Sequence, residues 1–367
     1  MIRVRTLVDG GQGAETVAGW VTGFLDGATA SLDIALYDLE VADRAEQEVF
    51  GALRRAVNRG VSVRILYNLD TSNPIPVPPP PRTDPQKLAA MGLPVRSISG
   101  VPDLMHHKFV VRDGEAVWTG STNWTDDSWT REENLIAEVS SSQIAEAFSR
   151  DYQELWDSGQ VSGTGKADPE PTPLYGTGEI DGARLQLDGG TAAAWFCPGR
   201  GRRISHRIAA AIGRATSRVR VCSPVITSGP ILGTLTEAAS EGRLDLAGAC
   251  DSTQMQEVLQ QWHVDGHSPW KISAFLSLAG AAPFSGKQST PYGPGTVHDY
   301  MHAKVLVADD IVFLGSYNLS HSGEQNAENV LEITNRGMAD ALAEYVDRVR
   351  SRYPPLRLVN PERPAMH

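Results

Sequence analysis

The sequence predicts an α/β fold built twice, with a β-sheet sandwiched by helices in each half of the chain. Three observations predict it. Apolar runs of strand character alternate with segments of helical spacing. The same order of elements recurs beyond a seam rich in Gly, Pro, Thr and Asp, Ser158 through Gly178. One motif stands once in each half: H-x-K, four residues, Asp, then Gly-Ser-x-Asn and Glu-Asn. The expected boundaries are 1–160 for the first domain, 161–178 for a linker and 179–367 for the second domain.

The elements follow in order. Gly10-Gly11-Gln12-Gly13 reads as a plain turn before a helix. Ala28-Thr29 ends that helix and leads into a buried strand, Ser31 to Tyr37. Val49, Phe50, Leu53, Ala56 and Val57 recur at helical spacing, and Gly60 suits the stop. Val61 to Leu66 is the next strand. Pro74 to Pro85, with four consecutive prolines, reads as an extended surface loop.

In the second half Ala215-Thr216 leads into the strand Ser217 to Ser223. Leu232, Leu235, Ala238 and Ala239 precede Gly242, and Leu244 to Ala247 takes the next strand position. Asp251 to Asp299 is a long insertion. Its Trp262, Trp270, Phe275, Phe284 and Tyr292 suit it to shaping substrate access.

Bulk composition narrows the class. The 367 residues are 41% hydrophobic and 21% charged, as in ordinary globular domains. No run reaches the roughly 18–20 apolar residues of a membrane span. No apolar signal core follows Met1-Ile2-Arg3-Val4-Arg5, so a cytoplasmic location is expected. The net charge of −11 removes any broad basic footprint for nucleic acid, so attraction of a polyanion must be local. Cys197, Cys222 and Cys250 read as buried thiols of a reducing compartment, not as a disulfide framework or a zinc site.

The motif carries the chemistry. The first copy is His106, Lys108, Asp113, Gly120-Ser121, Asn123 and Glu133-Asn134. The second is His302, Lys304, Asp309, Gly315-Ser316, Asn318 and Glu328-Asn329. Lys108 to Arg112 and Lys304 to Ala308 read as strands, so each histidine shares a face with the lysine two residues on. His107 then faces the other side and is expected to be structural. Asp113-Gly114 signals a tight hairpin. The second copy turns through Asp309-Asp310, one residue shorter. Asn123 to Glu133 and Asn318 to Glu328 have the same separation of ten residues. Asp113 and Asp309 are expected to be structural members of the motif.

A phosphodiester is an anion that repels nucleophiles. Ammonium and amide groups bind its non-bridging oxygens and stabilise the charge of a five-coordinate phosphorus. A neutral imidazole is a competent nucleophile near neutral pH. A second, protonated imidazole gives a proton to the leaving alkoxide and later takes one from water. One site therefore needs two histidines in opposite protonation states. A carboxylate on the far ring nitrogen fixes tautomer and orientation. No metal or other cofactor is expected, and no metal-ligand cluster is evident in the sequence.

At these residues the chain resembles the phospholipase D superfamily, and both halves match. Met105-His106-His107-Lys108, Gly120-Ser121-Thr122-Asn123-Trp124-Thr125 and Glu133-Asn134-Leu135 are most similar to its nuclease branch, which includes small bacterial endonucleases and Zucchini-type proteins. Phe148 and Trp156 fit that pattern. The resemblance implies two phospholipase D-like domains, each a mixed β-sheet flanked by helices, related by pseudo-twofold symmetry. It implies that one chain suffices to form the site, so a monomer can act.

Carried over residue by residue, it implies that one of His106 and His302 forms a phosphohistidine and the other is the acid and base, with His106 the expected nucleophile. Lys108, Lys304, Asn123 and Asn318 would hold the phosphate, with Ser121 and Ser316 adding hydroxyl donors. Glu133 and Glu328 would orient the imidazoles. The chain has Gly-Ser-x-Asn where secreted actinobacterial phospholipases usually carry Gly-Gly-x-Asn. No stretch of it reads as the N-terminal membrane helices usual in bacterial cardiolipin synthases, so a synthase of that type is not the first expectation. The expected enzyme is a metal-independent phosphodiesterase that hydrolyses nucleic acid. The alternative is a phospholipase D or phosphatidyltransferase acting on phospholipid headgroups.

Overall fold

The structure is a computed structural model that describes residues 1–69, 79–162, 164–165, 184–187, 189–266, 268–293 and 295–362. Residues 74–78 of the expected loop Pro74 to Pro85, and most of the expected linker, residues 166–178, lie outside the described residues.

Two large sheets carry the fold. The strands of the first lie in the order Ile2–Leu7, Asn134–Ser140, Ala116–Gly120, Lys108–Arg112, Ser31–Leu36, Ser62–Asn68, Val95–Ile98. The second runs Arg184–Leu187, Gly190–Cys197, Glu328–Asn335, Ile311–Gly315, Val305–Ala308, Arg218–Cys222, Asp245–Asp251, Phe284–Lys287. Apart from the extra edge strand Arg184–Leu187, the two orders match place for place. Both sheets are mixed. Pairing is antiparallel up to Ser31–Leu36 and up to Arg218–Cys222, then parallel through the last two strands of each.

Strand alternation divides the apolar side chains between layers. Phe109 and Val111 enter a core shared by both sheets, with Val305, Val307 and Leu331 from the second. The helices Ser142–Ser158 and Arg336–Arg352 fill that shared core through Phe148, Tyr152 and Val346. Val110, on the opposite face, joins an outer core under the helices Ala14–Asp26 and Asp43–Asn58. Leu306 does the same for the second half, under Gly201–Arg214, Gly229–Glu241, Ser252–Asp265 and Pro269–Ala281. The last two helices and the strand Phe284–Lys287 are what the long insertion becomes. Among the described residues no helix is long and apolar enough to cross a membrane.

Two devices set the motif loops. Asp113 (φ 57°) and Gly114 (φ 65°) turn the first hairpin in the left-handed region. The Asp113 carboxylate accepts the backbone N–H groups of Thr29, Ala30 and Ser31 and the Thr29 hydroxyl, at 2.7–3.1 Å. Asp309 repeats this on Thr216, Ser217 and Arg218. Both aspartates therefore clamp the hairpin to the start of the neighbouring strand. They sit at the hairpin ends of strands whose other ends carry His106 and His302. The second device is glycine. Gly120 (φ 145°) and Gly315 (φ 155°) end their strands where an added Cβ would lie 2.2 Å from the carbonyl oxygen of Leu135 or Asn329. Only glycine admits that approach.

Candidate active site

The two halves meet by exchanging backbone. Met105 bridges Ala327, and Met301 bridges Glu133, both in parallel sense. The N–H of His106 donates to the carbonyl of Ala327 at 3.0 Å. The residue before each histidine is pinned from its own half: Met105 N–H donates to Asn68 Oδ1 (2.9 Å) and Met301 N–H to Asp251 Oδ2 (3.0 Å). Reciprocal contacts of this kind are the mark of a twofold relation. The pseudo-twofold axis thus passes between the two histidines' neighbourhoods.

Each imidazole is held by the opposite half. His106 Nδ1 lies 2.8 Å from Glu328 Oε1, with both side chains fully buried. His302 Nδ1 lies 3.1 Å from Asn134 Oδ1 and 3.3 Å from Glu132 Oε2. Among the described residues nothing hydrogen-bonds Nε2 of His106. Each lysine turns back on its own histidine. Lys108 Nζ donates to the His106 carbonyl at 2.6 Å and Lys304 Nζ to the His302 carbonyl at 2.7 Å. The Tyr37 ring packs edge-on against His106 at 4.7 Å and lies 4.8 Å from Lys108 Nζ. His107 turns away, 2.8 Å from Asp151 and 3.1 Å from Asn329 Nδ2, against Phe109.

The glycine returns bring Asn123 and Asn318 back to this end of the sheets. Among the described residues the Oδ1 atoms of both are buried without a hydrogen-bond partner. The serines beside them are engaged within the chain. Ser121 Oγ donates to Asn134 Oδ1 (2.6 Å) and accepts from Leu135 N–H (2.9 Å). Ser316 Oγ accepts from Asn329 N–H (3.0 Å). Their hydroxyls brace the strands behind the site.

The structure differs from the sequence expectation at Glu133. Its carboxylate accepts from Lys287 Nζ at 2.9 Å, from the Tyr353 hydroxyl and from Asp9 N–H, away from His302. The equal spacing of ten residues misleads because the return to the strand is one residue shorter in the second half. Gly120 packs on the carbonyl of Leu135 and Gly315 on that of Asn329. Glu328 therefore takes the place of Asn134, and each of the two opens its strand. Glu132 had no place in the sequence reading, Asn134 stood in the motif with no role assigned, and Lys287 was not singled out. Aligning the halves on Gly-Ser and on the strands that follow would have found the first two. Nothing in the sequence marks Lys287 as a partner.

Burial dominates the electrostatics. It pushes both imidazoles well down, and the Lys108 and Lys304 charges push in the same direction. Burial drives the Lys108 ammonium well down against the pull of Glu328, and Lys304 down to about 7 against Glu132 and Glu328. It raises Glu328 to about 8, opposed by Lys108, and Glu132 to about 7, opposed by bonds from Ser128 and Asn134. Neutral imidazoles are thereby favoured. A phosphate anion placed among these groups would return charge to both lysines and favour a proton on one imidazole.

Comparison with known proteins gives a family. A family model described as "Cardiolipin synthase, PLD-like domain" matches residues 21–156 and 208–350. The chain is 27% identical over 134 residues to a mitochondrial cardiolipin hydrolase of Chlamydomonas reinhardtii, covering 36% of this chain and 55% of that protein. It is 29% identical over 131 residues to the Xenopus laevis protein of the same name, covering 36% and 57%. It thus spans little more than half the length of these relatives. The crystal structure of a phosphatidylserine synthase from Haemophilus influenzae aligns with 97% of this chain and 87% of its own, at 11% identity and a TM-score of 0.62. That likeness is one of fold.

Proposed function

The chain belongs to the phospholipase D-like family, and from that premise we propose that it is a phosphodiesterase cleaving phospholipid headgroups through a phosphohistidine. The observation that carries the chemistry is the pair of buried histidines, each with Nδ1 held by an acceptor from the opposite half. An acceptor at Nδ1 keeps the proton there and leaves the lone pair on Nε2. We assign the nucleophile to His106 because its Nδ1 meets Glu328 at 2.8 Å, the shorter of the two histidine–carboxyl contacts.

In the first step Nε2 of His106 bonds to phosphorus and the P–O bond to the leaving alcohol breaks. His302, protonated at Nε2, gives that proton to the departing oxygen. In the second step water bonds to phosphorus as the N–P bond breaks, and its proton passes to His302. An alcohol in place of water gives transfer instead of hydrolysis. On this reading Lys108, Lys304, Asn123 and Asn318 hold the non-bridging oxygens.

The lipid substrate is supported by the relatives named cardiolipin hydrolases. These support it better than the nucleic acid expected from the motif, and the net charge of −11 runs against a polyanion. The test is parallel incubation, in excess EDTA, with cardiolipin vesicles, phosphatidylcholine vesicles, single-stranded DNA and RNA. Release of headgroup or phosphatidic acid is expected. Cleavage of nucleic acid alone would overturn the lipid reading and restore the nuclease.

A further inference from the structure

The two halves treat their histidines differently. Two residues upstream of Glu328 stands Asn326, and two residues upstream of Asn134 stands Glu132. At His106 the acid occupies the later position and the amide the earlier. At His302 the acid and the amide have changed places. We infer that Glu132, bridged by Asn134, is the carboxylate partner of His302, a positioning residue that does from the earlier place what Glu328 does from the later one.

The hydrogen bonds fix the direction of every group in this bridge. Asn134 Nδ2 donates to the Ser128 carbonyl (3.1 Å) and to Glu132 Oε2 (2.9 Å). Its Oδ1 is therefore the face that accepts, from Ser121 Oγ and from His302 Nδ1. Ser128 Oγ donates to Glu132 Oε2 at 2.7 Å and holds the carboxylate in place. His302 Nδ1 meets two acceptors, Asn134 Oδ1 and Glu132 Oε2, so Nδ1 must carry the proton. That holds for both the neutral ring and the imidazolium. Nε2 is left as the atom that gains and loses a proton in each turnover.

An amide alone would orient the ring. Only a carboxylate also stabilises the imidazolium, and Glu132 is the buried carboxylate in contact with His302. Glu132 is itself faced by Lys304 and Lys287 from the second half, by Ser128 and Asn134 from its own, and by the Tyr300 hydroxyl. The charge on this group thus answers to both halves.

This assignment rests on the proposed phosphodiester chemistry, and its test separates the two. In the full chain, ¹⁵N-histidine spectra of wild type, Glu132→Gln and Glu132→Gln/Asn134→Glu read the tautomer and titration of His302 without any substrate. Steady-state hydrolysis of bis(p-nitrophenyl) phosphate against pH reads the chemistry. Glu132→Gln is expected to keep the fold and KM and to lower kcat about 10- to 100-fold. That is part of the roughly 10²–10⁴-fold a positioned acid–base group supplies. It should also move the His302 titration downward. The double variant, which puts the acid where Glu328 has it, is expected to recover kcat to within a few-fold. Wild-type kcat and an unmoved His302 titration in Glu132→Gln would overturn the assignment. So would a folded double variant without recovery. If wild type turns over no phosphodiester, the proposed function fails, and the nitrogen spectra still decide the partner of His302.

Discussion

Glu328 accepts from Nδ1 of His106, 222 residues earlier in the chain, at 2.8 Å, and both side chains are fully buried. A histidine of one half is thus oriented by a carboxylate of the other. Neither half is complete alone. The exchange follows from the parallel bridges Met105 to Ala327 and Met301 to Glu133, which lay the strand start of each half beside the histidine of its partner.

The two histidines should separate by their kinetics. In bis(p-nitrophenyl) phosphate the leaving p-nitrophenolate needs no proton, so only the nucleophile is required for the first step. His302→Ala is expected to release a burst of up to one equivalent of p-nitrophenolate and then stall. His106→Ala should show neither burst nor turnover. Rapid-quench measurement of burst amplitude checks this, and a burst in His106→Ala with none in His302→Ala would reverse the roles.

Glu328→Gln is expected to stabilise the protein while removing activity. Burial raises this carboxyl from an ordinary 4.5 to about 8 in the folded state. A folded value above the unfolded one means that the native state holds the proton more tightly. The associated stability is complete below about 4.5 and is lost as pH rises through about 8. Lys304, lowered from 10.5 to about 7, has the opposite slope above neutrality, so the difference between variants is the informative quantity. Thermal scans at pH 5 and pH 8.5 should show little change at the lower pH. At the higher pH the Glu328→Gln midpoint should rise by about 1–3 °C. A lower midpoint at pH 8.5 would contradict the burial argument.

The sheets were legible because their cause is local. Strand runs such as Lys108 to Arg112 and turn residues such as Asp113-Gly114 act within a few positions of each other, and the structure has the strand and the turn there. Two imidazoles on repeated H-x-K strands were legible for the same reason. The partner of His302 was not. Its identity depends on a one-residue difference in a return loop and on contacts across the whole chain, neither of which alters the local pattern. The partners of the serine hydroxyls were not legible either. Ser121 lies in the expected loop, but Asn134 and the Leu135 N–H reach it first.

Asp113→Ala and Asp309→Ala should each cost stability with no direct effect on the chemistry. Each carboxylate gathers three backbone N–H groups and a threonine hydroxyl at the end of the strand remote from the histidine. Burial opposes ionisation of both, but these hydrogen bonds win and hold them below the usual carboxylate range. The stability they lend is therefore present above the ordinary 3.8 and lost as pH falls through the lower folded value. At neutral pH each alanine variant should lose about 1–3 kcal/mol, since the freed N–H groups are near the surface and regain water. Urea unfolding at pH 7 measures the loss. A variant as stable as wild type would show that the hairpin needs no clamp.

Lys287 offers the sharpest test of how the halves are joined. Its Nζ lies within 2.8–3.2 Å of the Arg131 carbonyl, Glu133 and Asp9, so a residue of the second half neutralises a buried acid of the first. Removing the lysine alone strands the Glu133 carboxylate, whose side chain is fully buried. Lys287→Met should therefore destabilise by about 3–5 kcal/mol, the range for breaking a buried pair at one end. Glu133→Gln should cost less, because the Lys287 ammonium it leaves behind keeps Asp9 and the Arg131 carbonyl as partners. The double variant Lys287→Met/Glu133→Gln should be more stable than Lys287→Met alone, since the stranded charge is gone. A double-mutant cycle in urea checks this. If the two losses simply add, the pair does not couple the halves, and the segment Arg131 to Asn134 beside His302 must be held by its own turn.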